Sequence, residues 1–525
     1  GISATQWDAV MFQIARWLVR HLNDPRVVLW IAERGGQLHD QWEWLIEHRL
    51  DELAQLERDG RTADLDDIRA HAPNAIPGPL MRTLWRLLLG GRVKSPWREL
   101  DLYRWKSRLR REGLTTTLRL ELRELLSPKV RLGKPFRWGE EPESTGEPTR
   151  LRQLVDWELV LAADHVRSAL RDHADAQWEA DLPALLDDMQ HLLRDALDLL
   201  REMGEADERN DRSHWDMPSI SHHRQNRGFR DWVSLIELLR DSWLAMRGAD
   251  SSRAARVATA WFDLPYPTFK RLALFAASQE ACIVPEQWVE WLLDDGAWWL
   301  WDIHTRREVL RLLVLQGGQL TPELQERMES SILAGPPRQK YRDDLEPDQW
   351  QELVARAVWL HLAKLRTSGL TLGEASAARL AELSRLHPAW QLAANESDEF
   401  SHWMSGTGDP DYEERRMSKS RPASGATSCS GLFNRRPKDI RSTRTRGARS
   451  VARASSTACM RWVTWRVRTY GRSSAGARAC RPGARMAWCC DPGASPHRWC
   501  GLCPTQLCRN WRIASLGGCR LHPSP

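Results

Sequence analysis

Residues 1–414 contain almost no cysteine and no long apolar run. Nine of the ten cysteines lie at or beyond Cys429, and only Cys282 precedes them. This distribution excludes a disulfide framework for the first 414 residues and favours a reduced, cytoplasmic protein. No stretch reaches the roughly 18 apolar residues that a membrane helix needs, and the first residues lack the pattern of a secretory signal. We therefore expect no membrane partner.

The short motifs of common catalytic and cofactor sites are also missing. The sequence has no G-x-x-x-x-G-K-[ST] loop for phosphate and no H-E-x-x-H zinc motif. Gly406 and Gly408 form a G-x-G pair without the strand and helix that a dinucleotide fold requires. We expect no cofactor and no metal ion, and a non-enzymatic role is favoured over an enzymatic one.

Charge divides the chain where cysteine does. Residues 1–414 carry 53 basic and 68 acidic side chains, a net charge of −15, whereas residues 415–525 carry 23 basic and two acidic ones, a net charge of +21. The second region has no glutamate and is dominated by Arg, Ser, Gly, Ala, Cys and Pro without apolar periodicity. We predict that residues 415–525, called the tail below, are disordered.

The tail has three interpretations. Its composition favours out-of-frame translation of a GC-rich gene, because random codons of such DNA encode these residue types. A nucleic-acid-binding arm would instead explain the arginines, which neutralise phosphate. A zinc site would use Cys500 and Cys503 with Cys489, Cys490 or Cys508, although this spacing does not match a zinc finger or ribbon.

Apolar residues recur at helical spacing throughout the first 400 residues, and no segment shows sustained strand alternation. We predict an all-α fold, an array of helical hairpins that forms an irregular HEAT-like solenoid or a multi-helix bundle. Composition predicts a helical segment over 1–126, a boundary over 127–149, a long helix pair over 150–203 and a Trp-rich helical domain over 229–404.

Several local features follow from capping residues and composition. Ser95 is predicted to start a helix over 97–111. The stretch 150–173 is predicted as the first helix of the long pair, and Asp181 as the cap of the second. Residues 204–228 are predicted to form a polar linker.

The stretch 285–316 combines a tryptophan cluster with a well-marked helix. The cluster comprises Trp288, Trp291, Trp298, Trp299 and Trp301. Its last three members fall within four consecutive positions, so their rings cannot all face one core. We expect at least one of them to be partly exposed, as in an interaction surface, and therefore predict Trp298, Trp299 and Trp301 as interaction residues.

Turn and cap signals surround this cluster. Residues 294–296, Asp-Asp-Gly, predict a turn. Thr305 and Glu308 have capping-box spacing, in which the hydroxyl and the carboxylate accept free backbone N–H groups, and Thr371 with Glu374 repeats it.

Asp302 and His304 are the weak candidates for catalysis. A carboxylate beside an imidazole suits acid and base chemistry, so a hydrolase or nuclease is the alternative function. The favoured interpretation is structural, in which both residues satisfy the start of the helix at Thr305.

Two further groups invite a chemical interpretation. Residues 221–227, SHHRQNR, could contact metal or phosphate, but adjacent histidines point different ways on most backbones, which favours a solvated linker. Ser401 and His402 with Asp409 have the residue types of a triad, without nucleophile-elbow spacing.

Four blocks carry a resemblance to known proteins: HHRQNRGFRDWVSLIELLRDSW (222–243), LPYPTFKRLALFAAS (264–278), WWLWDIHTRREVLRLLVLQGG (298–318) and NESDEFSHWMSGTGDPD (395–411). They resemble the uncharacterised C-terminal helical region of large bacterial proteins associated with anti-phage defence, in which a sirtuin-type domain commonly precedes the helices.

The resemblance implies a sensor or scaffold that regulates an NAD-consuming effector. The implied partner is a protein, either the chain's own N-terminal effector domain or a phage component. The effector's glycine-rich loop and catalytic histidine motif have no match here, so the resemblance assigns no catalytic residue. The first residue is Gly1, and together with the altered tail this fits a truncated fragment of such a protein.

Overall fold

The computed structural model describes residues 4–97, 100–135, 147–171, 176–227, 230–280 and 282–404. The tail lies outside the described residues, and so do its three interpretations. All described residues belong to one unit, Gly1–Arg421, within which residue contacts are concentrated.

Helices dominate the described residues, which confirms the predicted all-α class. In chain order they are α1 (Ala4–Leu18), α2 (Pro25–Glu33), α3 (Asp40–Arg58), α4 (Thr62–His71), α5 (Pro79–Leu89), α6 (Leu102–Glu112), α7 (Thr116–Leu125), α8 (Val166–Arg171), α9 (Ala176–Glu202), α10 (Ser213–Asp216), α11 (Ser234–Ala249), α12 (Ser251–Asp263), α13 (Pro267–Ala277), α14 (Pro285–Trp301), α15 (Arg306–Gln316), α16 (Pro322–Ala334), α17 (Pro347–Thr367) and α18 (Glu374–Leu386).

One two-stranded sheet interrupts the helices of the described residues. Its strands, β1 (Pro128–Gly133) and β2 (Asp156–Leu161), pair antiparallel. The prediction of one long helix over 150–173 is therefore wrong, because this stretch contains a 3-10 turn, β2 and α8. The predicted boundary over 127–149 contains β1. The division of the first 404 residues into three segments stays a prediction.

Burial along β2 alternates only over its first residues. Trp157 is buried between the exposed Asp156 and the partly buried Glu158, whereas Leu159, Val160 and Leu161 are all buried. Arg131 donates to Glu158 across the strand pair at 3.0 Å. Such cross-strand ion pairs fix the register, but they look like helix-surface charges in a leucine-rich sequence.

Two helix starts also differ from expectation. α6 begins after Asp101, whose Oδ1 accepts the N–H groups of Tyr103 at 2.9 Å and Arg104 at 3.2 Å, so the start predicted from Ser95 is wrong. α9 begins at Ala176 and not at the cap predicted for Asp181. The residues before this aspartate are good helix formers, and their propensity extends the helix through it.

Sequential packing gives the second half of the chain its order. α9 packs along α11, and neighbouring contacts then run from α11 to α12, to α13, to α15, to α17 and to α18. Their apolar faces join one continuous hydrophobic core that extends from Leu18 in α1 to Leu383 in α18. The polar groups described next lie within this array.

Candidate functional site

α14 bends in the middle of the tryptophan cluster. Non-helical φ and ψ angles run from Asp294 to Ala297, and Asp295 has a positive φ of 50°. The turn predicted over 294–296 is therefore confirmed. The bend turns the second half of the helix, so that Trp299 and Trp301 face the core, each with 8% of its surface exposed, whereas Trp298 is only partly buried.

Two cations cover the indole of Trp298. The Nζ of Lys340 lies 3.2 Å from the ring centroid and the guanidinium carbon of Arg209 lies 4.1 Å from it. Arg209 also pairs with Asp295 at 2.8 Å, which ties it to the bend. Of the three predicted interaction residues, Trp299 and Trp301 lie in the interior, and Trp298 is already contacted by cations of the same chain.

Asp302 is the centre of a buried polar cluster beside this indole. It is 5% exposed, and its Oδ1 accepts the backbone N–H of His304 at 2.9 Å and the ring Nδ1 of His304 at 2.6 Å. Its Oδ2 accepts the ammonium of Lys340 at 2.6 Å. Burial opposes ionisation, but His304 and Lys340 together hold the pKa of Asp302 below its ordinary value.

The remaining nitrogen of the imidazole is also occupied. The Nε2 of His304 lies 3.0 Å from Oδ1 of Asn210, and the ring of His214 lies edge-on at 4.4 Å between centroids. Burial, reinforced by His304 and Arg271, lowers the pKa of His214 to about 3. The cluster therefore joins the start of α15, the loop at 210 and the loop after α16.

The buried polar cluster around Asp302 links separate parts of the chain through charged hydrogen bonds, and it is called the buried tie below. Burial lowers the pKa of Lys340, while its pairing with Asp302 opposes that shift. A buried charge of this kind is stable only while its partner is present. Asp302 and both nitrogens of His304 contact other residues of the chain, as the structural interpretation of these two residues expects.

Neither predicted capping box forms. The hydroxyl of Thr305 donates to the carbonyl of Trp299 at 2.8 Å and does not cap α15. Glu308 instead binds residues that are distant in sequence. At α18 the cap position is Gly373, whose N–H donates to both carboxylate oxygens of Glu329, at 3.1 and 3.2 Å. At α15 longer-range partners replace the local bond, because the carboxylate of Glu308 accepts buried donors of Arg271 and Ile220.

Arg271 and Glu308 form a fully buried ion pair that the sequence does not reveal. Their side chains are 0% and 3% exposed, and the closest bond joins Nε to Oε2 at 3.1 Å. Arg271 also donates to the hydroxyl of Ser213 at 3.0 Å and to the carbonyl of Met217 at 2.8 Å. Glu308 accepts the N–H of Ile220 at 2.8 Å. The pair thus fastens the 213–220 loop onto α13 and α15.

The described part of the polar linker predicted over 204–228 contains the short helix α10, and several of its polar residues are buried. Asp211 is 1% exposed and accepts both the N–H and the hydroxyl of Thr268, at 2.7 and 2.8 Å, which caps the start of α13. It also accepts the hydroxyl of Ser213 at 2.6 Å. The polar residues of this loop occur at high density because they serve as hydrogen-bond partners inside the protein.

The SHHRQNR motif holds the end of the described chain. Gln225 is fully buried and exchanges two hydrogen bonds with the backbone of Met404, at 3.0 and 2.9 Å. Asn226 donates to the carbonyls of Ser219 and Ser221, at 2.7 and 3.1 Å. The motif is neither a solvated linker nor a convergent metal site; it joins the loop before α11 to the segment after α18.

The two histidines of this motif point apart. His222 is exposed, whereas the ring of His223 lies 4.6 Å from that of Phe400. Burial, reinforced by Arg307, lowers the pKa of His223 to about 4. Among the described residues, no group of three or more His, Cys, Asp or Glu side chains is arranged to hold a metal ion.

An acidic segment after α18 packs against basic residues. Lys364 of α17 contacts Asp398 at 3.0 Å and Glu399 at 2.7 Å, and all three side chains are at least nine-tenths buried. Arg307 contacts Glu399 as well and contacts Glu396 at 2.7 Å. Charge complementarity therefore fixes residues 395–400, the NESDEF part of the fourth resembling block.

The suggested triad does not form among the described residues. Ser401 and His402 are exposed, and Asp409 lies outside the described residues. The ring of His402 lies 5.6 Å from that of Trp215, an aromatic contact on the surface.

No family model, curated protein or solved structure matches the chain. None of the helices in the described ranges has both the length and the apolar character that crossing a bilayer requires.

Proposed function

We propose that residues 4–404 form a non-enzymatic sensing or scaffold region of a bacterial anti-phage defence protein. In this proposal the region contacts a sirtuin-type effector domain and regulates its NAD-consuming activity. The buried tie around Asp302 and His304 supports a structural role for the residues that would otherwise suggest an enzyme. The observation that carries the proposal is an uncovered apolar face on α1.

α1 has two neighbouring apolar faces. Met11 and Leu18 are buried on one of them, where α1 packs against α3. The other face carries Trp7, Val10 and Trp17, which are separated by three and then by seven positions. Their exposed fractions are 48%, 46% and 51%. Exposed tryptophans that share one helix face are unusual for a surface that contacts only water. This face fits a partner that buries aromatic anchors.

A protein is the partner whose chemistry fits this face. The net charge of −15 for residues 1–414 opposes adsorption to anionic lipid or to a phosphate backbone. Tryptophan is the residue type most enriched among the anchors of protein interfaces. The resemblance supplies the identity of the partner as the sirtuin-type effector domain.

The test compares tryptophan variants of the full chain. Trp7→Glu and Trp17→Glu together alter the proposed face, and Trp97→Glu alters a tryptophan that is 76% exposed outside α1. Binding to a sirtuin-type domain from a resembling defence protein is measured by titration calorimetry. Loss of one anchor costs about 2 kcal/mol or more, so we expect at least about 30-fold weaker binding for the double variant. The Trp97 control should stay within about twofold of the unaltered chain.

Two results would overturn this proposal. One is the absence of binding by the unaltered chain, and the other is equal binding by the double variant and the control. Circular dichroism checks that both variants keep the helical spectrum. Plating of phage on cells that express both proteins then asks whether the contact affects defence.

We further propose that the tail is translated out of frame, which its loss of glutamate and gain of cysteine support. The test is the coding DNA beyond codon 414. A second frame that continues with glutamate and helical periodicity is the expected result. If no frame does so, the proposal fails, and salt-dependent nucleic-acid binding through the arginines becomes the function to assay.

A further inference from the structure

A cavity of about 230 Å³ lies between α13, α15 and the loop at 219–221. Its polar lining is rich in donors and comprises Ser219, Ser221, Ser278, Gln279, Arg307 and Arg311. The hydroxyls of Ser219 and Ser221 lie 2.8 Å apart, a bond that uses one O–H and leaves the other free to donate. Two guanidinium groups beside free hydroxyls suit a ligand with several anionic oxygens.

The acidic groups of the lining do not cancel this preference. Glu308 lines the cavity, but both of its oxygens accept bonds from Arg271. Glu280 lies at the exposed end of the cavity wall, beyond α13. The positive charge of the lining therefore comes from the two arginines of α15. Their carboxylate partners, Glu396 on both and Glu399 on Arg307, do not line the cavity.

Arg307 lacks one hydrogen-bond partner although it is buried. The residue is 5% exposed, and its Nε has no hydrogen-bond acceptor within the part of the chain that the structure describes. A buried N–H group without an acceptor is destabilising, so an additional acceptor at this arginine would be stabilising.

The carboxylate of Glu396 now balances part of the charge of the two arginines. Its two oxygens accept bonds from Arg307 and Arg311, each at 2.7 Å. Its backbone adopts the left-handed conformation, with φ of 62°, which is disfavoured for a non-glycine residue. Glu396 therefore makes this contact from a disfavoured backbone conformation, which favours its replacement by a stronger anion.

We propose that this cavity binds a small phosphate-bearing anion, which displaces Glu396 from the two arginines and loosens residues 395–400. The ligand gains the donors of Arg307, Arg311 and the free hydroxyl of the serine pair. Release of the carboxylate also relieves the left-handed backbone. This site is separate from the α1 face, and neither proposal depends on the other.

The experiment uses the full chain and inorganic pyrophosphate as the probe. Affinity is measured by titration calorimetry for the unaltered chain and for three variants: Glu396→Gln, Arg311→Gln and Arg379→Gln. The last is the matched control, because Arg379 forms an exposed pair with Glu382 on α18 at 2.7 Å. The arginine-rich tail contributes the same background to every variant.

Competition predicts opposite changes for the two site variants. Glu396→Gln removes the carboxylate that competes with pyrophosphate for the two arginines. Since each anion weakens the binding of the other, pyrophosphate should bind this variant about fivefold more tightly or better. Arg311→Gln should weaken binding about tenfold, and Arg379→Gln should leave it unchanged. Hydrogen exchange mass spectrometry should show faster exchange at residues 396–400 with pyrophosphate, where the N–H of Glu399 now bonds the carbonyl of Glu396 at 3.0 Å.

The proposal is overturned if Glu396→Gln binds pyrophosphate no more tightly than the unaltered chain. It is also overturned if Arg311→Gln and Arg379→Gln have equal affinities, since the tail alone would then account for the binding. Unchanged or slower exchange at 396–400 on addition of pyrophosphate would contradict the displacement of Glu396. If Arg311→Gln fails to fold, the gain in Glu396→Gln still decides the question.

Discussion

Replacing Arg271 by methionine should remove a large part of the free energy of unfolding of the protein. The substitution keeps the apolar stem of the side chain but removes its charge and all of its donors. Glu308, which is 4% exposed, would then keep only the N–H of Ile220 as a partner. The hydroxyl of Ser213 and the carbonyl of Met217 would also each lose a bond from the guanidinium.

The size of the destabilisation follows from the Glu308 carboxylate, which stays buried without its counter-charge. Removing one partner of a buried ion pair costs about 3–5 kcal/mol, because the other charge is left uncompensated. The lost bonds to neutral groups add about 1 kcal/mol each at most, since these groups can relax towards one another. We therefore expect Arg271→Met to lower the free energy of unfolding by about 3–7 kcal/mol. A domain is stable by only about 5–15 kcal/mol in total.

The assay is urea unfolding followed by tryptophan fluorescence. Arg379→Met, in the exposed pair on α18, is the control and should cost less than about 1 kcal/mol. The double variant Arg271→Met with Glu308→Leu should be more stable than Arg271→Met alone, because no buried charge remains unpaired. A loss below about 1 kcal/mol for Arg271→Met, or a double variant that is less stable than it, would refute the reasoning.

Two further predictions concern histidine and glycine. Burial lowers the pKa of His214 to about 3 and of His361 to about 4, from an ordinary value of 6.5. His223, whose pKa burial also lowers to about 4, adds a third such group. Below pH 6.5 the unfolded chain therefore binds three protons that the folded chain does not, and stability should fall by about 5–6 kcal/mol from pH 7 to pH 5. His361→Gln should remove about a third of this loss and the exposed His48→Gln should not, as urea titrations at each pH will show. Gly317→Ala should cost about 1–3 kcal/mol, because its Cβ would lie 2.7 Å from a leucine of α17. Gly248→Ala, at an open helical position, should stabilise by up to about 1 kcal/mol, and equal melting temperatures for the two glycine variants would contradict this.

The helices were predictable because their apolar residues recur at three and four positions. Proline at the first helical position marks α13 and α16, and Thr321 caps α16 by accepting the N–H of Leu324 at 3.4 Å. Local signals of this kind need only neighbours within one turn. β2 escaped prediction because the six residues DWELVL resemble part of an amphipathic helix. β1 escaped it because proline and glycine in PKVRLG indicate a boundary.

The polar interior was beyond sequence reasoning for a different reason. Arg271 and Glu308 are 37 positions apart, and His304 and Asn210 are 94 positions apart. A local pattern cannot pair such residues, so Glu308 was assigned to the cap that its nearest neighbours suggested. One signal was available: a charged residue within the buried face of a helix, as at Arg271 in FKRLALF, predicts a buried partner.

The central claim is that Asp302, His304 and Lys340 tie the fold together and perform no catalysis. The most direct measurement pairs the unfolding free energy of Asp302→Asn with turnover of bis(p-nitrophenyl) phosphate, p-nitrophenyl acetate and NAD. The account predicts a loss of about 3–5 kcal/mol, because Lys340 is left buried without its counter-charge, and no turnover above the buffer blank in any form. The exposed control Asp64→Asn should lose less than about 1 kcal/mol. Turnover by the unaltered chain that Asp302→Asn abolishes at unchanged stability would contradict the claim.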